Sequence, residues 1–138
     1  MSPRDTRTGE VMEQMVVPAM ACGGYEFRRK VNIGKRLGYG RHIVDGVADR
    51  AGRRLLISLK WQQVPGTTEQ KVPFEIISLI EAVRSGNYHG AYVVLGGPCW
   101  RFKDFFLDGG LNPYMPDARE VRIVTLEDFV ARANQGRL

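Results

Sequence analysis

Residues 41–75 read RHIVDGVADRAGRRLLISLKWQQVPGTTEQKVPFE, and the fold is decided there. Over residues 55–62 the side chains alternate between the two faces of a strand. Leu55, Ile57, Leu59 and Trp61 make one wholly apolar face, which belongs on a core. Ser58, Lys60 and Gln62 share the other face, with Leu56 at its start. Residues 42–48 form an earlier strand with Ile43, Asp45 and Val47 on one side. Between them Asp49-Arg50-Ala51-Gly52 suits a hairpin turn, Gly52 being free to take positive φ. Closing the hairpin sets Asp45 opposite Ile57, within one residue of register, and so beside Ser58 and Lys60. The sequence Pro65-Gly66-Thr67-Thr68 then breaks the strand, and a polar loop over residues 67–71 leads into a helix with Pro73 in its first turn. That helix carries Ile76, Ile77, Leu79, Ile80 and Val83 as its inward stripe and Glu75 in its first turn, near the end of the hairpin.

Two carboxylates and a lysine gathered at one sheet edge have a definite chemistry. Hard Mg²⁺ takes carboxylate and carbonyl oxygens while keeping several waters. It acidifies an attacking water and offsets charge on a phosphodiester in the transition state. A lysine beside it can orient that water or stabilise the growing negative charge.

The order strand-Asp45, turn, strand Leu59-Lys60 resembles the PD-(D/E)XK nuclease superfamily, whose fold is restriction-endonuclease-like. Val44 stands before Asp45 where proline is common. Ser58 stands two before Lys60 where the family usually has Asp or Glu. Some restriction enzymes of this superfamily have a Ser-x-Lys strand and take the missing carboxylate from the following helix; Glu75 is placed for that role. Gly9-Glu10-Val11-Met12-Glu13 is similar to the family's first-helix motif, in which a glutamate often joins the metal site, and Glu13 is the better candidate. The resemblance implies a three-layer α/β domain over residues 1–138, with a central mixed sheet flanked by helices. It implies a metal-dependent DNA endonuclease of restriction or homing type, using Mg²⁺ with Mn²⁺ as a substitute. Asp45, Glu75, Glu13 and the Leu59 carbonyl would hold metal, Lys60 would manage the attacking water, and Gln62 would touch substrate or a metal-held water. A Holliday-junction resolvase has the same core. A nucleic-acid-binding module with a decayed site and a metal-free basic scaffold protein are the readings from other classes.

The rest of the chain agrees with this layering. A helix is expected from Thr8 toward Val17, with Met12, Met15 and Val16 inward, bent or ended at Pro18 and continuing to Cys22; residues 1–7 read as a loose lead-in. Residues 25–31 form a short strand and residues 32–40 a glycine-rich connector. His42 lies off the Asp45 face and reads as structural, and Trp61 as core. Residues 90–95 make a continuous apolar strand, central in a mixed sheet. Residues 100–107 read as a helix with Phe102, Phe105 and Phe106 as its apolar side, residues 121–124 as a last strand, and Thr125 as the cap of a terminal helix. Alternating strands and helices imply α/β layers.

At 138 residues the chain buries about 68–70% of its unfolded surface if it folds as one domain. Its net charge of +5 and pI near 9.5 favour a polyanionic partner. The excess is local: residues 21–62 hold ten Lys or Arg against three Asp or Glu. Arg28, Arg29, Lys30, Lys35, Arg36 and Arg41 are therefore candidate phosphate contacts, with Thr67, Gln70 and Lys71 from the polar loop. Double-stranded or branched DNA is the expected partner. So small a chain leaves little room for a recognition domain, so cutting both strands calls for a homodimer or homotetramer. Two cysteines, Cys22 and Cys99, make no disulfide framework or zinc motif and suggest a reducing cytoplasm. No apolar run approaches the ~18 residues of a membrane span.

Overall fold

The computed structural model describes residues 7–138. The expected lead-in lies outside these residues except for Arg7, which opens the first helix. A five-stranded mixed sheet runs in chain order β1 (Glu26–Asn32), β2 (Ile43–Arg50), β3 (Arg53–Trp61), β4 (Gly90–Gly96) and β5 (Val121–Thr125). The first three strands pair antiparallel and the last three parallel. β3 is the seam between the two halves, and β4 is parallel to both of its neighbours.

Both faces of β3 are covered, which is why its polar face is less open than the alternation implies. Leu55, Ile57 and Leu59 enter one core with Met12, Val16, Met20 and Phe129. Those partners come from a wide π turn (Met12–Val16) that follows α1 (Arg7–Val11), from α2 (Val17–Cys22) and, after β5, from α5 (Leu126–Asn134). Leu56 enters a second core with Val72, Ile76, Leu79 and Ile80 of α3 (Thr68–Ala82) and Phe106 of α4 (Lys103–Leu107). Helices, sheet and helices make three layers. Each fully buried Leu or Ile contributes about 1.5–3 kcal/mol. No helix among the described residues is long and apolar enough to cross a membrane. Cys22 and Cys99 are free thiols.

Several elements depart from the expected ones. The first helix continues past Pro18 to Cys22 as expected, but through a wide turn that the sequence pattern does not show. Pro18 cannot donate an amide hydrogen to the preceding turn, and the chain widens over Met12–Val16 before continuing to Cys22. Met15 is turned outward. The hairpin turn is the two residues Ala51-Gly52 (φ +52° and +79°), and the pair Arg50–Arg53 closes it. Both central residues of such a turn need positive φ, so its twist matches that of the strands.

The largest correction is α3. It starts at Thr68, so residues 68–71 are helical rather than loop, Pro73 lies inside the helix, and Glu75 sits two turns in. Tertiary contacts set this start: Val72 is fully buried, and the Glu69 carboxylate accepts the amides of Arg101 and Phe102. Ile77 is exposed rather than inward. α4 spans only Lys103–Leu107, with Phe106 buried and Phe102 and Phe105 largely outside the core. Trp61 is half-buried at the rim of the first core. Thr125 caps α5 as expected, its hydroxyl accepting the Asp128 amide at 3.1 Å.

Candidate active site

The backbone ladder between β2 and β3 runs as far as Gly46–Ile57. One step on, Asp45 stands across from Ser58, and its Oδ2 accepts the Leu59 amide at 2.6 Å. A side chain thus takes over where the backbone pairing stops, and the strands part. The amide and carbonyl of one strand residue face the same neighbour, so the Leu59 carbonyl also lies on the β2 side. β3 stays joined to β4 here through Leu59–Val94 and Lys60–Leu95. α3 packs over this end and delivers Glu75, whose Oε2 is 3.5 Å from Lys60 Nζ. Asp45, Lys60 and Glu75 line one cleft of about 310 Å³, with Thr8, Arg36 and Lys71 at its margins.

Glu75 is buried, and both of its oxygens are engaged. His42 Nε2 lies 3.0 Å from Oε1, while Arg36 Nη1 donates to Oε2 at 3.1 Å and to the Ser78 hydroxyl at 3.1 Å. The Arg36 guanidinium also lies 5.5 Å from the centre of the Phe74 ring. Burial pushes the Glu75 carboxyl up, but the His42 hydrogen bond and the charges of Lys60 and Arg36 outweigh it, holding the group down at about 2. Asp45 goes the other way. Burial raises its carboxyl, and Glu75 adds to that rise; the Leu59 amide, Lys60 and Arg29 only partly oppose it.

Two carboxylates and a carbonyl are hard oxygen donors. Among the described residues no group of three His, Cys, Asp or Glu gathers to cage an ion. This set fits an ion that binds through one or two carboxylates and keeps its waters, as Mg²⁺ does.

Other expected site residues lie elsewhere. Glu13 is exposed and ion-paired with Arg29, so it does not reach the cleft; Thr8 is the residue of the first helix that borders it. Gln62 is buried and donates through Nε2 to the Cys99 carbonyl, leaving Oε1 without a partner. Of the basic run, Arg36 is committed to Glu75, Arg29 to Glu13 and Arg28 to Asp49 at 3.9 Å, whereas Lys30, Lys35 and Arg41 are exposed. Thr67 is exposed before α3, Lys71 borders the cleft, and Gln70 faces a different cavity. What sequence reasoning missed is the support of Glu75 by His42 and Arg36. These partners lie 33 and 39 positions away, and no local spacing signals such a contact.

Two solved structures are similar to the chain, and the first of them shares its fold. One is AF1548, a protein of unknown function: 13% identity, TM-score 0.53, covering 84% of this chain and 61% of that one. The other is Pyrococcus furiosus SfsA in complex with Ca²⁺: 18% identity, TM-score 0.49, covering 88% of this chain and 57% of that one. The chain thus spans about three-fifths of the length of either. No curated protein matches it. The profile of the PD-(D/E)XK nuclease superfamily domain matches residues 4–137, nearly the whole sequence. With its three-layer mixed-sheet fold and this match, the chain belongs to the PD-(D/E)XK nuclease superfamily.

Proposed function

We propose that the chain is a Mg²⁺-dependent DNA endonuclease, with Mn²⁺ as a substitute ion, of restriction or homing type. The observation that carries this reading is the meeting of Asp45, Lys60 and Glu75 in one cleft where β2 and β3 part. Asp45, Glu75 and the Leu59 carbonyl would hold the ion. When bound, it supplies positive charge against the phosphodiester and lowers the pKa of a water. Lys60 is held toward Glu75 and can donate to the attacking water or to the phosphoryl oxygens as their charge grows. His42 fixes Glu75 through Oε1 and leaves Oε2 to Lys60 and Arg36. Lys30, Lys35 and Arg41 are free to meet phosphates along the duplex. Cutting both strands takes two copies, hence a homodimer or homotetramer.

One observation favours a second reading, a DNA-binding domain without catalysis. Ser58 replaces the usual acid, and Glu75 is already satisfied by three protein partners. The deciding experiment offers plasmid, linear duplex and a four-way junction to wild type and Lys60→Ala in Mg²⁺ and in Mn²⁺. Wild type should cut, and Lys60→Ala should fold and bind but cut at least ~100-fold more slowly. A fully active Lys60→Ala protein overturns the assignment. Binding without cleavage by wild type selects the second reading, and cleavage of the junction alone makes the protein a resolvase.

A further inference from the structure

A second and larger cavity lies on the other flank of α3. It is a groove of about 990 Å³ walled by Gln70 and Pro73 of α3 and by Trp100, Phe102 and Phe105 around the start of α4. Phe102 is 52% exposed and Phe105 46%. The chain leading into these rings is tied at four successive residues, 99–102. Trp100 Nε1 donates to the Gly96 carbonyl at 2.6 Å. Glu69, only 6% exposed, accepts the Arg101 and Phe102 amides at 2.6 Å each. Gln62 clamps the Cys99 carbonyl from the end of β3. The aromatic surface is thus formed in advance, and a ligand entering it would pay little ordering entropy.

The groove and the catalytic cleft lie on two flanks of the same helix. Thr68, Lys71 and Glu75 follow one stripe of α3 (i, i+3, i+7) into the cleft, while Glu69, Gln70 and Pro73 follow the neighbouring stripe into the groove. The two cavities are therefore separated by about the width of a helix, ~10–12 Å. That is about three stacked nucleotides at ~3.4 Å each, and fewer once the strand is unstacked. Lys71 borders the cleft and Arg101 the groove, so a strand crossing the start of α3 meets a cation on either side. Gln70 offers an amide donor and acceptor to a base edge.

We infer that this groove binds an unpaired nucleobase of the strand whose phosphodiester occupies the cleft, stacking it on Phe102 and Phe105. Aromatic rings accept any base by its π-face. The inference rests on the nuclease reading and adds a preference to it: DNA with unpaired nucleotides beside the scissile bond, such as an overhang, a flap or a single strand, is held more tightly than blunt duplex. The polar rim of Arg101 and Gln70 and the cleft one helix-width away favour a nucleotide over an apolar peptide.

The test titrates the full chain, in Ca²⁺, with a blunt duplex and with the same duplex bearing a short overhang that contains one 2-aminopurine. Wild type should bind the overhang more tightly and quench its fluorescence. Phe102→Ser and Phe105→Ser should lose the quenching and about five- to hundred-fold of the overhang affinity while holding the blunt duplex as before. Arg101→Glu, an exposed change outside both cores, should weaken the overhang selectively even if a Phe variant folds poorly. Equal binding of both DNAs by wild type, or overhang binding unmoved in all three variants, overturns the inference and leaves the nuclease reading standing. So does a Phe102→Ser protein that loses only self-association in sedimentation, which makes the groove a contact between copies. Failure of wild type to bind either DNA removes the nuclease reading as well.

Discussion

The two walls of the cleft treat negative charge in opposite ways. On the helix wall, Glu75 is surrounded by His42, Lys60 and Arg36, and its carboxyl is held at about 2 despite burial. On the strand wall, Asp45 has one backbone amide at 2.6 Å, and burial raises its carboxyl. The helix wall is complete as it stands, whereas the strand wall holds an acid that the protein alone undersupplies with positive charge. In a structural ion-pair network both acids would be compensated. An under-compensated acid at the point where two strands part suits the cation of the proposed function.

The largest effect should come from removing the compensated acid. Glu75→Gln leaves Lys60 and Arg36 facing a neutral amide, and breaking a buried pair in this way costs about 3–5 kcal/mol. The melting temperature should fall by about 10 °C or more, and cleavage should be lost with it. The pH dependence carries the sign. Glu75 has a depressed carboxyl, so its contribution, on the order of 3 kcal/mol, is present above about pH 4.5 and lost as pH falls toward about 2. Asp45 has a raised carboxyl, so its cost is present at neutral pH and relieved as pH falls through its folded value. Urea stability of wild type should therefore drop between pH 5 and 2, and that of Glu75→Gln should stay level or rise. Parallel curves for the two proteins would break the contrast between the walls.

Asp45→Asn should separate activity from stability. The asparagine carbonyl can still accept the Leu59 amide, and the buried charge is gone, so the urea midpoint should hold or rise. Mg²⁺-dependent cleavage should fall about 100- to 1,000-fold, the loss of several kcal/mol of charge stabilisation. Measuring initial rate and urea midpoint on one preparation decides it. A stability loss matching that of Glu75→Gln would mean that Asp45 is as well supported as its counterpart and that the asymmetry is false.

This asymmetry was half legible in the sequence. The strict alternation over residues 55–61 fixes β3, and the hairpin then puts Asp45 near Lys60 because period-two geometry leaves little freedom. Glu75 follows because the next helix must cover that strand. The start of α3 was not legible. Local preference places Pro73 in a first turn, and only the distant amides of Arg101 and Phe102, held by Glu69, draw the helix back to Thr68. Gln62 reads as a cleft residue by alternation, yet β3 ends at Trp61 and its amide turns to Cys99. Phe102 and Phe105 read as core because they are apolar at helical spacing, but α4 is too short to bury more than Phe106. Each of these three misses is a contact between residues more than thirty positions apart or an element shorter than its pattern.

The smallest predicted effect extends the comparison to the basic hairpin. Arg28, Arg29 and Arg36 already face carboxylates within the chain, while Lys30, Lys35 and Arg41 are exposed. Charge that is spent internally cannot release counterions from DNA in full, whereas free charge can. Each phosphate contact removed should lower the slope of log K against log salt by about 0.9. The triple variant Lys30→Ala, Lys35→Ala, Arg41→Ala should thus lose up to about 2.7 of slope with its melting temperature unchanged. Arg36→Ala should lose much less slope but should destabilise the fold, because Glu75 and Ser78 lose their shared donor. Salt titrations of the two variants on one duplex make the comparison. If Arg36→Ala changes the slope as much per residue as the exposed three do, Arg36 leaves Glu75 when DNA arrives, and the helix wall is less complete than its contacts in the free protein indicate.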